Sequence, residues 1–156
     1  FLSRWCGMLH VVTFLLFTFA VILGGGAIEC VYLSVESFRA FLLAGGLLCA
    51  SNIVTFEAAR KEYALGKTMA SSVTTGYRKC FWKLFDLHIV LAVIAFLVSA
   101  IAIEALQVAA FVLGVAVVFS GIGSLLVNRF GWAVMMGTTK RQGAFCNFKR
   151  EEVEDE

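Results

Sequence analysis

The strongest constraint on this chain is the length of its apolar runs. Residues 8–28, 38–56, 85–103 and 106–127 are almost free of charge. Each is close to the ~20 residues an α-helix needs to cross a bilayer's hydrocarbon core. In lipid every backbone N–H and C=O must be paired within the structure, which leaves helices as the elements open to such runs. No proline occurs in the 156 residues to break them. The composition agrees, with 60% hydrophobic and 15% charged residues against about 45–50% and about 25% in soluble domains. The expected fold is an all-α membrane protein, a four-transmembrane-helix bundle over residues 1–137 with a polar tail at 138–156. Phe1 is not an initiator methionine, which reads as a chain beginning inside a longer gene product or after processing.

Charge orients this bundle. The connector 57–84 holds Arg60, Lys61, Lys67, Arg78, Lys79 and Lys83 against Glu57 and Glu62, while the connector 29–37 carries two carboxylates and no base. Basic residues stay preferentially on the cytoplasmic side. The basic connector and the tail are therefore expected in the cytoplasm, giving an N-in/C-in topology, with Arg39 snorkelling to the outer interface. The connector reads as an interfacial cytoplasmic helix. Tyr63, Phe81 and Trp82 would sit at the headgroups, and the six bases would face anionic lipid or a partner protein. So short a connector with so few bases argues against nucleic acid.

Small residues point to helix-on-helix packing. Ala40, Ala44 and Gly45 form one small face, and Ser120, Gly121, Gly123 and Ser124 another, of the kind that lets membrane helices approach closely. Cys6, Cys30, Cys49, Cys80 and Cys146 lack metal-binding spacing. Cys6, Cys80 and Cys146 are expected in cytoplasmic segments, Cys49 inside a span and Cys30 alone outside. That distribution leaves no structural disulfide, so they read as free thiols. No P-loop, Gly-x-Ser-x-Gly, HExxH or intramembrane carboxylate pair occurs, and neither an enzyme, a metal nor a cofactor is expected.

One stretch is more specific. The first hydrophobic half ends in Asn52-x-x-x-Phe56-Glu57. The basic connector carries Gly66-Lys67-Thr68 and Gly76-Tyr77-Arg78-Lys79-Cys80-Phe81, and Asp86-x-His88 opens the next span. This pattern resembles the C-terminal membrane region of SecD, the protein-translocase auxiliary subunit of the SecD/SecF family in the RND superfamily. Glu57, Arg60, Glu62, Gly66, Lys67, Gly76, Phe81 and Asp86 match without a gap, with Thr68 and Tyr77 as conservative replacements. Ser120 and Arg129 sit where the family's last span has its small face and terminal arginine. SecF has the same layout, but the Phe-Glu ending and Asp86 fit SecD better.

The departures from that pattern matter as much. The family's membrane-embedded aspartate, linked to proton-driven movement, falls on Ala50, which carries no proton. His88 replaces an asparagine, and Val90 and Leu91 replace two threonines. The resemblance implies an auxiliary subunit of a protein-export or membrane-insertion translocase in a bacterial or organellar inner membrane. It further implies a SecF-like partner and a SecY-type channel in a hetero-oligomeric complex, without a proton relay at position 50. The alternative is a non-catalytic structural or assembly subunit of a larger membrane complex that has inherited the fold. An RND-type exporter fragment wants intramembrane carboxylates that are absent here. The family's large extracytoplasmic domain would then lie upstream of Phe1, on another chain, or be missing.

Four polar positions are the candidates for function. Asn52 lies inside a span and either lines a polar path or bonds a neighbouring helix. Glu57 marks the membrane boundary, in reach of Arg60 one turn on. Asp86 reads as a cap near a helix N-terminus. His88, two residues on and so on another face, is either a titrating group or a hydrogen-bonded interfacial histidine. His10, in the first span, is open to the same two readings.

Overall fold

The computed structural model of the chain describes residues 4–27 and 35–138. All regular structure there is helical: α1 (Arg4–Ala27), α2 (Val35–Ala64), α3 (Met69–Ile101), α4 (Glu104–Ile122), a π-helical segment (Gly123–Val127) and α5 (Asn128–Thr138). The last three follow one another without a break. Ser37–Ala64, Met69–Ile101 and Leu106–Val134 are long and apolar enough to cross a membrane, and Val11–Leu23 forms a shorter apolar helix. The side chains of Cys6 and His10, together with Cys30, Cys146 and the tail beyond Thr138, lie outside the described residues.

No separate interfacial helix occupies 57–84. Residues 57–64 contain strong helix formers and no breaker, so α2 simply continues to Ala64. The chain reverses at Gly66, whose φ of +88° is in the left-handed region that costs glycine nothing. The Gly66 N–H donates to the Tyr63 carbonyl at 3.0 Å, and α3 starts at Met69. At ~1.5 Å per residue, the 30 residues of α2 and 33 of α3 measure about 45 and 50 Å. Both exceed a ~30 Å hydrocarbon core. The basic connector is thus the overhanging end of a helical hairpin.

Close packing holds the hairpin together. At Gly76 a Cβ would lie 2.5 Å from the Ala59 nitrogen and 2.7 Å from its Cα, so α2 and α3 touch backbone to backbone. Deeper in the bundle, Phe17, Val21, Ala44, Leu48, Ala116 and Val117 form the apolar core. Phe17 stacks on Phe41 with ring centroids 5.4 Å apart, tying α1 to α2. Ala40, Ala44, Gly45, Ser120, Gly121, Gly123 and Ser124 are all buried, so both small faces are used for packing. Outward, α3 presents Ile89, Val90, Val93, Ile94 and Leu97. An apolar belt of that kind suits lipid and would be an aggregation hazard in water.

The relative direction of the rods follows from two contacts. Leu48 Cδ1 lies 3.3 Å from where a Gly123 Cβ would be, and the Phe56 and Trp132 rings are 6.1 Å apart. Hence α2 runs parallel to the α4–α5 rod, with α3 returning antiparallel to both.

Candidate functional site

A polar seam runs through the bundle beside the π-helical segment. Ser51, Asn52 and Thr55 of α2, His88 of α3, Ser120 of α4 and Ser124 of the π-helical segment are all buried. Several of these groups are satisfied within their own helix. Ser51 donates to the Leu47 carbonyl and Thr55 to the Ser51 carbonyl, each at 2.8 Å, as membrane hydroxyls commonly do. Asn52 is different. It is 1% exposed, and its Oδ1 has no hydrogen-bond partner among the described residues. The Leu48–Gly123 and Phe56–Trp132 contacts bracket it, so it lies level with the π-helical turn. A buried acceptor without a donor costs about 1–3 kcal/mol, and such an atom suits a water or an incoming donor.

His88 joins α3 to α4. Its Nδ1 is 2.7 Å from the Leu84 carbonyl and its Nε2 is 3.4 Å from Ser120 Oγ. A carbonyl only accepts, so in the neutral ring Nδ1 carries the proton and Nε2 accepts from the serine. The ring fits because residue 121 is glycine: a Cβ there would press the imidazole at 3.3 Å. Two turns before Leu84, Tyr77 donates its hydroxyl hydrogen to the Leu125 carbonyl. That carbonyl belongs to the π-helical segment, where the usual helix ladder is interrupted.

A second cluster sits on the overhanging hairpin. Glu62 is buried, and both its oxygens take ammonium donors, Lys67 Nζ at 2.5 Å and Lys79 Nζ. Lys79 is on α3, Glu62 on α2 and Lys67 in the turn, so one carboxylate clamps the three pieces. Arg129 stacks over the Tyr77 ring at 5.6 Å, joining α5 to α3. Exposed Arg60 and Glu57 approach only to 3.9 Å, the loose geometry of a surface pair that contributes little.

The sequence-derived candidates do not form one site. Asn52 and His88 lie in the seam. Glu57 lies outside it, at the base of the hairpin. Asp86 caps nothing: α3 begins at Met69, which leaves Asp86 exposed in mid-helix, and among the described residues it has no partner. Of the six bases expected to face lipid or a partner, Arg60, Lys61, Arg78, Lys79 and Lys83 are exposed and Lys67 is partly covered. Lys67 and Lys79 are also engaged by Glu62. Ala50 faces an open apolar groove of about 680 Å³ shared with Leu47, Leu91, Leu113 and Val117. Glu62, Tyr77 and the π-helical segment were not singled out in the sequence. The only prior signal for Glu62 was its match to the family pattern.

Chemically, the seam offers hydroxyls, one imidazole and one orphan amide oxygen. Among the described residues no group of three or more His, Cys, Asp or Glu side chains comes together as a metal site. Cys49 and Cys80 are free thiols.

The chain is 30% identical over 115 residues to the protein translocase subunit SecD of Treponema pallidum, covering 71% of this chain and 20% of that protein. It is 26% identical over 104 residues to the SecDF translocase subunit of Bacillus subtilis, covering 67% of this chain and 14% of that protein. The chain therefore spans a fifth or less of the length of these relatives. No family model matches, and no solved structure matches. With its long apolar spans and this homology, the chain is an integral membrane protein.

Proposed function

We propose that this chain, a SecD-like homologue over 71% of its length, supplies the membrane helices of an auxiliary subunit of a protein-export or membrane-insertion translocase. In this reading α1 to α5 form a four-span bundle, N-in/C-in, with the basic hairpin in the cytoplasm. Its partners are a SecF-like subunit and a SecY-type channel.

One observation carries the reading. Four residues of the family pattern build the hairpin: Gly66 turns it, Gly76 lets α2 and α3 touch, and Glu62 clamps Lys67. A pattern met by chance would not coincide with the positions that the fold needs.

The subunit works without a relay carboxylate of its own at position 50. Ala50 lies in an apolar groove, and the nearby seam contains only neutral hydroxyls, Asn52 and His88. Movement of the complex is then driven by a partner chain, and this chain guides or scaffolds it. The same observation favours a second reading, a structural subunit of another membrane complex with an inherited fold. Photo-crosslinking from position 83 on the exposed hairpin separates the two. Adducts with a channel subunit and a SecF-like protein are expected. Adducts confined to subunits of an unrelated membrane complex would overturn the translocase reading.

A further inference from the structure

We propose that the groove along α3 from Arg78 to Ala92 binds one anionic phospholipid, its phosphate held by Arg78 and Arg129 and an acyl chain lying beside the π-helical segment. Two cavities make up this groove. The first, about 500 Å³, is lined by Tyr77, Arg78, Trp82, Arg129 and Trp132 among others. The second, about 290 Å³, is lined mainly by apolar groups including Phe85, Ile89, Ala92, Ile122 and Leu126, with His88 also at its wall. Phe81 lines both, so the cavity that holds the two arginines adjoins the apolar one at a single side chain.

Charge and polarity select the occupant. No carboxylate lines either cavity, and among the described residues neither arginine has an acidic partner. Arg129 is already held in place over the Tyr77 ring, which lowers the cost of ordering it on a ligand. Guanidinium groups match phosphate oxygens in paired hydrogen bonds, and tryptophans flanking them suit the headgroup level of a bilayer. Free phosphate or an acidic peptide would fill only the first cavity. The second needs a hydrocarbon chain, which an anionic phospholipid carries on the same molecule. This site goes beyond a generally basic surface, because Arg129 and the apolar cavity are parts of it. It rests on the helices crossing lipid and not on the translocase reading.

The test uses the full chain purified in mild detergent, with native mass spectrometry and thermal unfolding as readouts. Phosphatidylglycerol should be retained at one per chain and should raise the unfolding temperature, while phosphatidylcholine and glycerol phosphate should do neither. Arg78→Gln should weaken retention by about tenfold or more, the loss of a charge-assisted bond. Ile122→Trp, which fills the apolar cavity, should weaken it with both arginines intact. Both side chains are exposed, so the unliganded variants should unfold where the parent does. Equal retention of phosphatidylcholine would overturn the proposal. Protection by glycerol phosphate alone would leave only a phosphate site and would also overturn it. So would retention that appears only after residues 139–156 are removed, which would give the groove to the acidic tail.

Discussion

Gly76 and Asn52 show two different uses of a single position. At Gly76 any side chain would meet α2 backbone at 2.5–2.8 Å, and backbone cannot swing aside as a flexible side chain would. Gly76→Ala should therefore cost about 1–3 kcal/mol by overpacking, read as a lower thermal unfolding midpoint in detergent. Asn52 is the opposite case, since its carbonyl oxygen is already without a partner among the described residues. Asn52→Leu should change stability by less than about 1 kcal/mol, or raise it, because an orphan acceptor is removed. If the seam serves transport, the same variant should lower export in a complementation assay. A stable variant with full export would reduce Asn52 to packing. The burial of Asn52 was legible from its place inside an apolar run. Glu62 was not, because a carboxylate among lysines in a connector looks solvated until the two helices are seen to enclose it.

Among the elements, the hairpin and the π-helical turn each carry an interhelix polar contact besides the one between His88 and Ser120. Glu62→Gln removes the charge that holds Lys67 and Lys79. It should speed amide hydrogen exchange around 61–72 while leaving the membrane-embedded part of α3 protected. Equal exchange in parent and variant would show that the clamp is dispensable. Tyr77→Phe deletes the hydroxyl that bonds the Leu125 carbonyl. It should cost about 1 kcal/mol and raise exchange at 123–128. The two small faces were visible in the sequence because close packing leaves a compositional trace at helical spacing. The length of α2 and α3 beyond the bilayer was not. Periodicity does not say where a helix stops once its charged residues are also good helix formers, and the expected cap at Asp86 failed for the same reason.

For the molecule as a whole, the basic hairpin fixes the expected orientation. Leu65, 71% exposed at the turn, is the position to label. With the five native cysteines replaced by serine, Leu65→Cys should react with a membrane-impermeant thiol reagent only after the cytoplasmic face is opened. Reaction in intact cells would reverse the topology. Ala50→Asp would place a carboxylate in the apolar groove at a cost of about 2–3 kcal/mol, expected as reduced membrane insertion.

The sequence by itself determined that the chain is a set of apolar helices, because run length and backbone pairing in lipid are local requirements that each segment meets alone. It also carried the family pattern, since turn and close-approach glycines are needed at fixed positions. Only the tertiary structure decided which polar groups meet. Whether Tyr77 finds the Leu125 carbonyl, His88 finds Ser120, or the Asn52 Oδ1 is left without a partner among the described residues depends on the register between rods. The Gly76–Ala59 contact and the π-helical turn set that register, and neither is encoded in any one helix.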